Sequence, residues 1–208
     1  MSNVMSKLII VEPVDILNYL PTMNSWCKEH LRHYPYYYFP ESSQQVSPAD
    51  TMYINERRAK LVVVQNNEQV ISISPGIPLD SFYLARDYFA FETIQQFQSK
   101  GYVINSIWYI GYFLVDYASQ EDMDLLECVY QAHLLMAKQN KCEYIAYVEP
   151  ENTVKHNDDK TLAEPWSVLS GEIIDSGVTC DASWSTIQKN GDVLEEKHSI
   201  RFYLRKVR

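Results

Sequence analysis

The side chains able to do chemistry are scattered along this chain. His133 lies on an apolar helical stripe with Leu125, Leu126, Val129, Ala132, Met136 and Ala137. A lone imidazole there reads as a core group, because a general base also needs an orienting partner and a reachable proton. His156 precedes Asn157, Asp158 and Asp159, and His30 stands three residues before His33; neither set has the spaced ligands of a metal centre. Cys27, Cys128, Cys142 and Cys180 contain no C-x-x-C pair and read as four reduced thiols of a cytoplasmic-type compartment. No serine stands in a G-x-S-x-G turn, so a hydrolase triad is not supported. Glycines number 6 against 16 tyrosines, although loops that cradle phosphates use glycine to bring backbone N–H groups close. The aromatic run YPYYYF at 34–39 is wall and rim packing or, on a functional reading, the side of a substrate cleft.

These groups belong to a chain of 208 residues, expected to fold as a single domain over 1–208. With 27 Asp and Glu against 18 Lys and Arg, its net charge of -9 repels a phosphate backbone and predicts no nucleic-acid partner. No apolar stretch approaches the ~20 residues of a membrane-spanning helix, and the N-terminal apolar run before Glu12 is too short for a signal-peptide core. A cytoplasmic protein without a membrane partner is expected.

Periodicity places the elements. Lys7–Val11 reads as a strand, followed by a helix capped at Asp15 that carries Ile16, Leu20, Met23, Trp26 and Leu31, with Pro21 kinking or dividing it. His33 to Asp50, broken by three prolines, reads as a packed loop. Ala59–Val64 and Gln69–Ser74 form a hairpin ended by Pro75, Gly76 and Pro78, and Phe89–Lys100 a helix with Gly101 after it. Ile104–Val115 is an apolar run suited to a strand buried on both faces at the centre of the sheet. Asp122–Gln139 has the clearest helical period, with Glu121, Asp122 and Asp124 at its start. Cys142–Val148 completes a βαβ unit whose strands should be parallel or splayed neighbours. A short helix near Thr161–Leu169 and strands near Ser183–Gln188 and Leu194–Val207, joined through Asn190-Gly191, end the chain. The fold class is α+β, a mixed central sheet flanked by helices.

This order resembles the GNAT superfamily of acyl-CoA-dependent N-acyltransferases. The resemblance is densest from Ile107 to Asn152, where IWYIGYFLVDYASQ looks like the family's central strand entering its cofactor loop and CEYIAYVEPEN like its next strand. The family loop, close to Q/R-x-x-G-x-G/A, falls here on Gln120 through Leu125, with Met123 and Leu125 at the two glycine positions. It is a degenerate cofactor loop, and its three carboxylates oppose a pyrophosphate.

The resemblance implies an acetyl-CoA or other acyl-CoA donor and a small-molecule or peptide amine as acceptor; the lack of spaced ligands predicts no metal. It implies cofactor contacts from Phe113, Leu114, Val115, Gln120, Met123, Asp124, Leu125 and Asn152. Tyr109 stands at the family's base position; with an ordinary pKa near ~10 it is assigned to hydrogen bonding or substrate orientation. By the two-residue period Tyr112 should face the other side of the strand. Trp166 and Ser167, where relatives often carry an acid tyrosine, are not convincing proton donors to sulfur. Three readings stand: an active N-acyltransferase with an atypical loop, a catalytically inactive GNAT-like binding or regulatory module, and an acyltransferase using a bulkier thioester such as a carrier-protein acyl chain.

Overall fold

The computed structural model describes residues 6–30, 42, 44–83, 91–116, 123–151, 165–187 and 190–208. In chain order the elements are β1 (Lys7–Val11), α1 (Leu20–His30), α2 (Pro48–Asn55), β2 (Lys60–Asn66), β3 (Gln69–Pro78), α3 (Phe91–Ser99), β4 (Ile107–Ile110) and β5 (Leu114–Val115). They are followed by α4 (Met123–Gln139), β6 (Tyr144–Pro150), β7 (Ile174–Ile187) and β8 (Val193–Lys206). The eight described strands form one sheet in the order β1-β2-β3-β4-β6-β8-β7, with β5 also on β3. Among the described strands only β4 and β6 pair in parallel, as the crossover through α4 requires.

The centre of the sheet is buried on both faces, which is why β2 reads as a continuous apolar run: Leu61 to Val64 are all 2% exposed or less. On one face Leu61, Val63, Ile73, Ile77 and Tyr109 pack under α1, α2 and α3; on the other Val62, Val64, Trp108, Ile110 and Ile145 pack under α4.

Several sequence boundaries change for physical reasons. The segment expected as a helix from Asp15 begins as a 3-10 helix at Pro13–Tyr19 with no side-chain cap, and α1 follows with Pro21 in its first turn. Helix α2 lies partly within the expected loop; its signal is Ser47-Pro48-Ala49-Asp50, a reciprocal capping box with proline at the helix start. The prolines expected to end the hairpin lie inside β3, which runs on to Pro78. The β2–β3 turn is Asn67-Glu68, both at positive φ. Asn190-Gly191 lies in a five-residue connection between the paired residues Ile187 and Val193 rather than a two-residue turn. The expected helix at 161–169 is, among described residues, a 3-10 turn at Pro165–Val168.

The long central strand is interrupted. Ile104–Ser106 is a 3-10 turn, and the strand splits into β4 and β5 around Gly111, Tyr112 and Phe113. Ile110 pairs with Gly76, whereas Leu114 pairs with Ile73, so four steps on one side meet three on the other. That extra residue is a β-bulge. It lies opposite Pro75, whose lack of an N–H a bulge tolerates in a central strand.

Candidate functional site

Beyond the bulge, β5 and β6 part company. β4 pairs with β6 only over Ile107–Tyr109 and Tyr144–Ala146; β5 then stays on β3 while β6 continues on β8 to Pro150. Asp116 donates its N–H to Ile71 O, and by antiparallel alternation the peptide groups of Phe113 and Val115 are aimed away from β3, toward the gap.

The bulge also resets which side chains face where. Tyr109 packs on the α1-side core, and so does Tyr112, while Phe113 and Val115 pack on the α4 side. The expectation that the two tyrosines face opposite sides is therefore corrected: they stand three positions apart, an odd step, but the extra residue shifts the phase by one.

On the α1 side, Tyr112 enters a polar cluster. Its hydroxyl donates to Asp50 Oδ1 at 3.3 Å, and Asp50 Oδ2 accepts from the Ser47 N–H at 2.9 Å and Ser47 Oγ at 2.7 Å. Asp50 is 5% exposed. A Cβ on Gly111 would lie 2.5 Å from the Tyr53 hydroxyl, so glycine is what lets that hydroxyl stand against the bulge. Burial, with Asp50 and Cys27 beside it, holds the Tyr112 hydroxyl well above its ordinary pKa. Burial, aided by Asp50, pushes the Cys27 thiol up to about 12.

On the α4 side the polar groups are neutral and mutually satisfied. The Trp108 indole donates to His133 Nδ1 at 3.3 Å; Nε2 therefore carries the ring proton and donates to Ser74 Oγ at 2.9 Å. Burial lowers the His133 pKa to about 3. Trp166 fills the space beside the bulge, packed edge-on against Phe113, and its indole N–H donates to the Gly111 carbonyl at 3.3 Å. Pro75, across from Gly111, has no N–H to offer that carbonyl. Buried Arg205 fixes this segment by donating to the carbonyls of Trp166, Leu169 and Ser170 at 2.9–3.0 Å.

Of the residues singled out in the sequence, Phe113, Leu114 and Val115 lie at the bulge and gap. Met123 and Asp124 are exposed in the first turn of α4, and Leu125 turns into the α4-side core. Gln120 and Asn152 lie outside the described residues. Tyr109, 4% exposed, packs near Phe202 with sheet neighbours Ile77 and Ala146. Sequence reasoning missed Asp50, Tyr53 and Arg205; the capping box was the one local signal for Asp50. Among the described residues no group of three or more metal-ligating side chains occurs, and no helix is long and apolar enough to cross a membrane. A cavity of about 180 Å³ between α4 and the end of β8, lined by Tyr130, Leu134, Gly171, Arg205 and Lys206, includes none of residues 111–115.

No protein-family model matches the chain, and no curated protein matches it in sequence. Solved structures do match its shape over nearly its whole length. A CoA-dependent acyl-homoserine lactone synthase is 10% identical with a TM-score of 0.54, covering 97% of this chain and 89% of its own. A GCN5-related N-acetyltransferase from Kribbella flavida is 13% identical with a TM-score of 0.52, covering 97% of each chain. A Salmonella typhimurium protein assigned as an acetyltransferase, solved with its cofactor acetyl-CoA, is 9% identical with a TM-score of 0.52, covering 98% and 94%. Together with the split central strand and its parallel neighbour β6, these likenesses identify the architecture: the chain has the GNAT N-acetyltransferase fold.

Proposed function

We propose that the protein is an N-acyltransferase-like enzyme that passes an acyl group from an acyl-CoA-type thioester to an amine of a small molecule or peptide. The observation that carries this reading is the gap between β5 and β6, with the peptide group of Phe113 aimed into it. Such a gap suits the amides of an extended thioester arm, and a backbone N–H there can stabilise negative charge developing on the thioester oxygen. Tyr109, on the α1 side, is assigned to the wall of the acceptor side, where it orients the amine.

The thioester end of the donor fits this site better than its phosphate end. Asp124 and the exposed Met123 occupy the first turn of α4, where a pyrophosphate would call for bare backbone donors. Gln120, Leu125 and Asn152 are assigned to the same end, Leu125 through its backbone alone because its side chain is buried. Acyl-CoA affinity should accordingly be weak. Asp124→Asn should tighten it about twofold to fivefold, measured by calorimetry, because one carboxylate opposing the phosphates is removed.

The test is to incubate the protein with a panel of amines and with acetyl- and longer acyl-CoA donors while following free thiol. Release above a no-enzyme control with at least one pair supports the reading. One observation favours a second reading, a non-catalytic binding module: the Trp166 indole already occupies the Gly111 carbonyl. No thiol release with any donor selects that module.

A further inference from the structure

We propose that Asp50 is the proton acceptor of the acyl transfer, reached through the hydroxyl of Tyr112. This rests on the reading above and supplies the acid–base group that the family's base position, filled by Tyr109, does not.

Asp50 is more than a helix cap. Its Oδ2 satisfies the start of α2 through Ser47, while Oδ1 is turned to the Tyr112 hydroxyl, 62 residues away in sequence and at the residue displaced by the bulge. A cap alone needs only the first oxygen. The Tyr53 hydroxyl stands over Gly111 beside it, so two hydroxyls and a carboxylate converge on the α1-side face of the irregular strand. Among the described residues, Cys27 from α1 and Tyr112 from the strand face Asp50, and Tyr53 from α2 lies beside Tyr112. Cys27 and Tyr112 stay protonated through neutral pH.

The amine nitrogen attacks the thioester carbonyl carbon, forming the C–N bond as the carbonyl pair moves to oxygen. The nitrogen proton passes to Tyr112 Oη while the Tyr112 proton moves to Asp50 Oδ1. Collapse breaks the C–S bond, the thiolate takes a proton from water, and Asp50 returns its proton to water. The products are an amide and a thiol, with no change of oxidation state. Tyr112 touches the substrate in this scheme; Asp50 acts through it.

The experiment uses the full chain with the donor–amine pair that releases most thiol, comparing Tyr112→Phe, Asp50→Asn and Asp50→Glu. Asp50→Asn should lower kcat about 100-fold and abolish the fall in rate toward acid pH, with the donor KM little changed. Tyr112→Phe should lower kcat about tenfold or more, and Asp50→Glu should restore part of the rate. Asn can still accept from the Ser47 N–H, preserving part of the cap. Should Asp50→Asn fail to fold, Tyr112→Phe, which deletes one hydroxyl, carries the test. Unchanged kcat in Tyr112→Phe, or an acid limb that persists in Asp50→Asn, overturns the relay and leaves the acyltransferase reading standing. No thiol release by the unaltered protein overturns both.

Discussion

Two polar clusters flank the same bulge and are built on opposite principles. On the α4 side, Trp108, His133 and Ser74 pass one neutral donor to one acceptor in sequence, all fully or nearly fully buried. On the α1 side a carboxylate, two phenols and a thiol share a pocket next to the strand irregularity. The first arrangement has no proton to exchange near neutrality and locks the sheet to α4. The second holds an acid at the place where the ladder is already broken. Histidine attracts functional interpretation by residue type, yet here the imidazole is structural and the less conspicuous aspartate stands at the candidate site.

The largest expected effect comes from a methyl group at Gly76. A Cβ there would lie 2.6 Å from Trp108 Nε1 and 2.7 Å from His133 Nδ1, two ring atoms of side chains that are 0% exposed. Neither ring can retreat without disrupting the core, so Gly76→Ala should cost about 3 kcal/mol or more in urea unfolding. At Gly111 the corresponding contact is the far end of Tyr53 at 2.5 Å, with Pro75 Cγ at 3.0 Å. Gly111→Ala should cost less stability and disturb the α1-side cluster instead. Equal losses in the two variants would erase the distinction between a locked and an adjustable side.

A second test uses protons. The His133 pKa falls from 6.5 to about 3 because burial disfavours the imidazolium. The unfolded chain therefore binds a proton that the folded one does not between those values, and this contribution to stability is fully present above pH 6.5. It is lost progressively as pH falls toward about 3. Between pH 7 and pH 5 the loss should be about 2 kcal/mol. His133→Gln should lower stability at pH 7 and flatten this part of the pH dependence; an unchanged slope would mean that the imidazole titrates freely.

Much of the fold was legible because it depends on local periodicity. The 3.6-residue recurrence from Leu125 to Ala137 and the apolar run around Ile107–Val115 fixed the βαβ unit, and both hairpins were expected from polar turn residues between strands, although the second closes through five residues rather than two. The bulge was not legible: Gly111 signals an irregularity only once Pro75 is known to lie across from it, a pairing between residues 36 apart. Hence the strand's phase beyond Gly111 was misjudged, and Tyr112 with it. Asp50 was hidden for a related reason. Its sequence neighbours identify a helix cap, and the second oxygen acquires meaning only through a partner far along the chain. Arg205 alternates with Phe202 and Leu204 in a terminal strand, and nothing local marks it as the residue that holds three carbonyls of the Trp166 segment.

The smallest effect is the sharpest discriminator, because it removes one oxygen from each cluster. Ser74→Ala takes away the acceptor of His133 Nε2 and leaves a buried N–H in a fully packed site, at a cost of about 2 kcal/mol. Tyr112→Phe removes a donor whose bond to Asp50 is long at 3.3 Å, and Asp50 keeps both of its bonds from Ser47. The carboxylate is therefore never orphaned, and the cost should be about 0.5–1 kcal/mol. Chemical denaturation of the two variants in parallel reads the difference directly. A Tyr112→Phe loss as large as that of Ser74→Ala would make the α1-side cluster a second structural lock. A loss near the lower figure leaves the phenol dispensable to the fold, as a group placed there for chemistry should be.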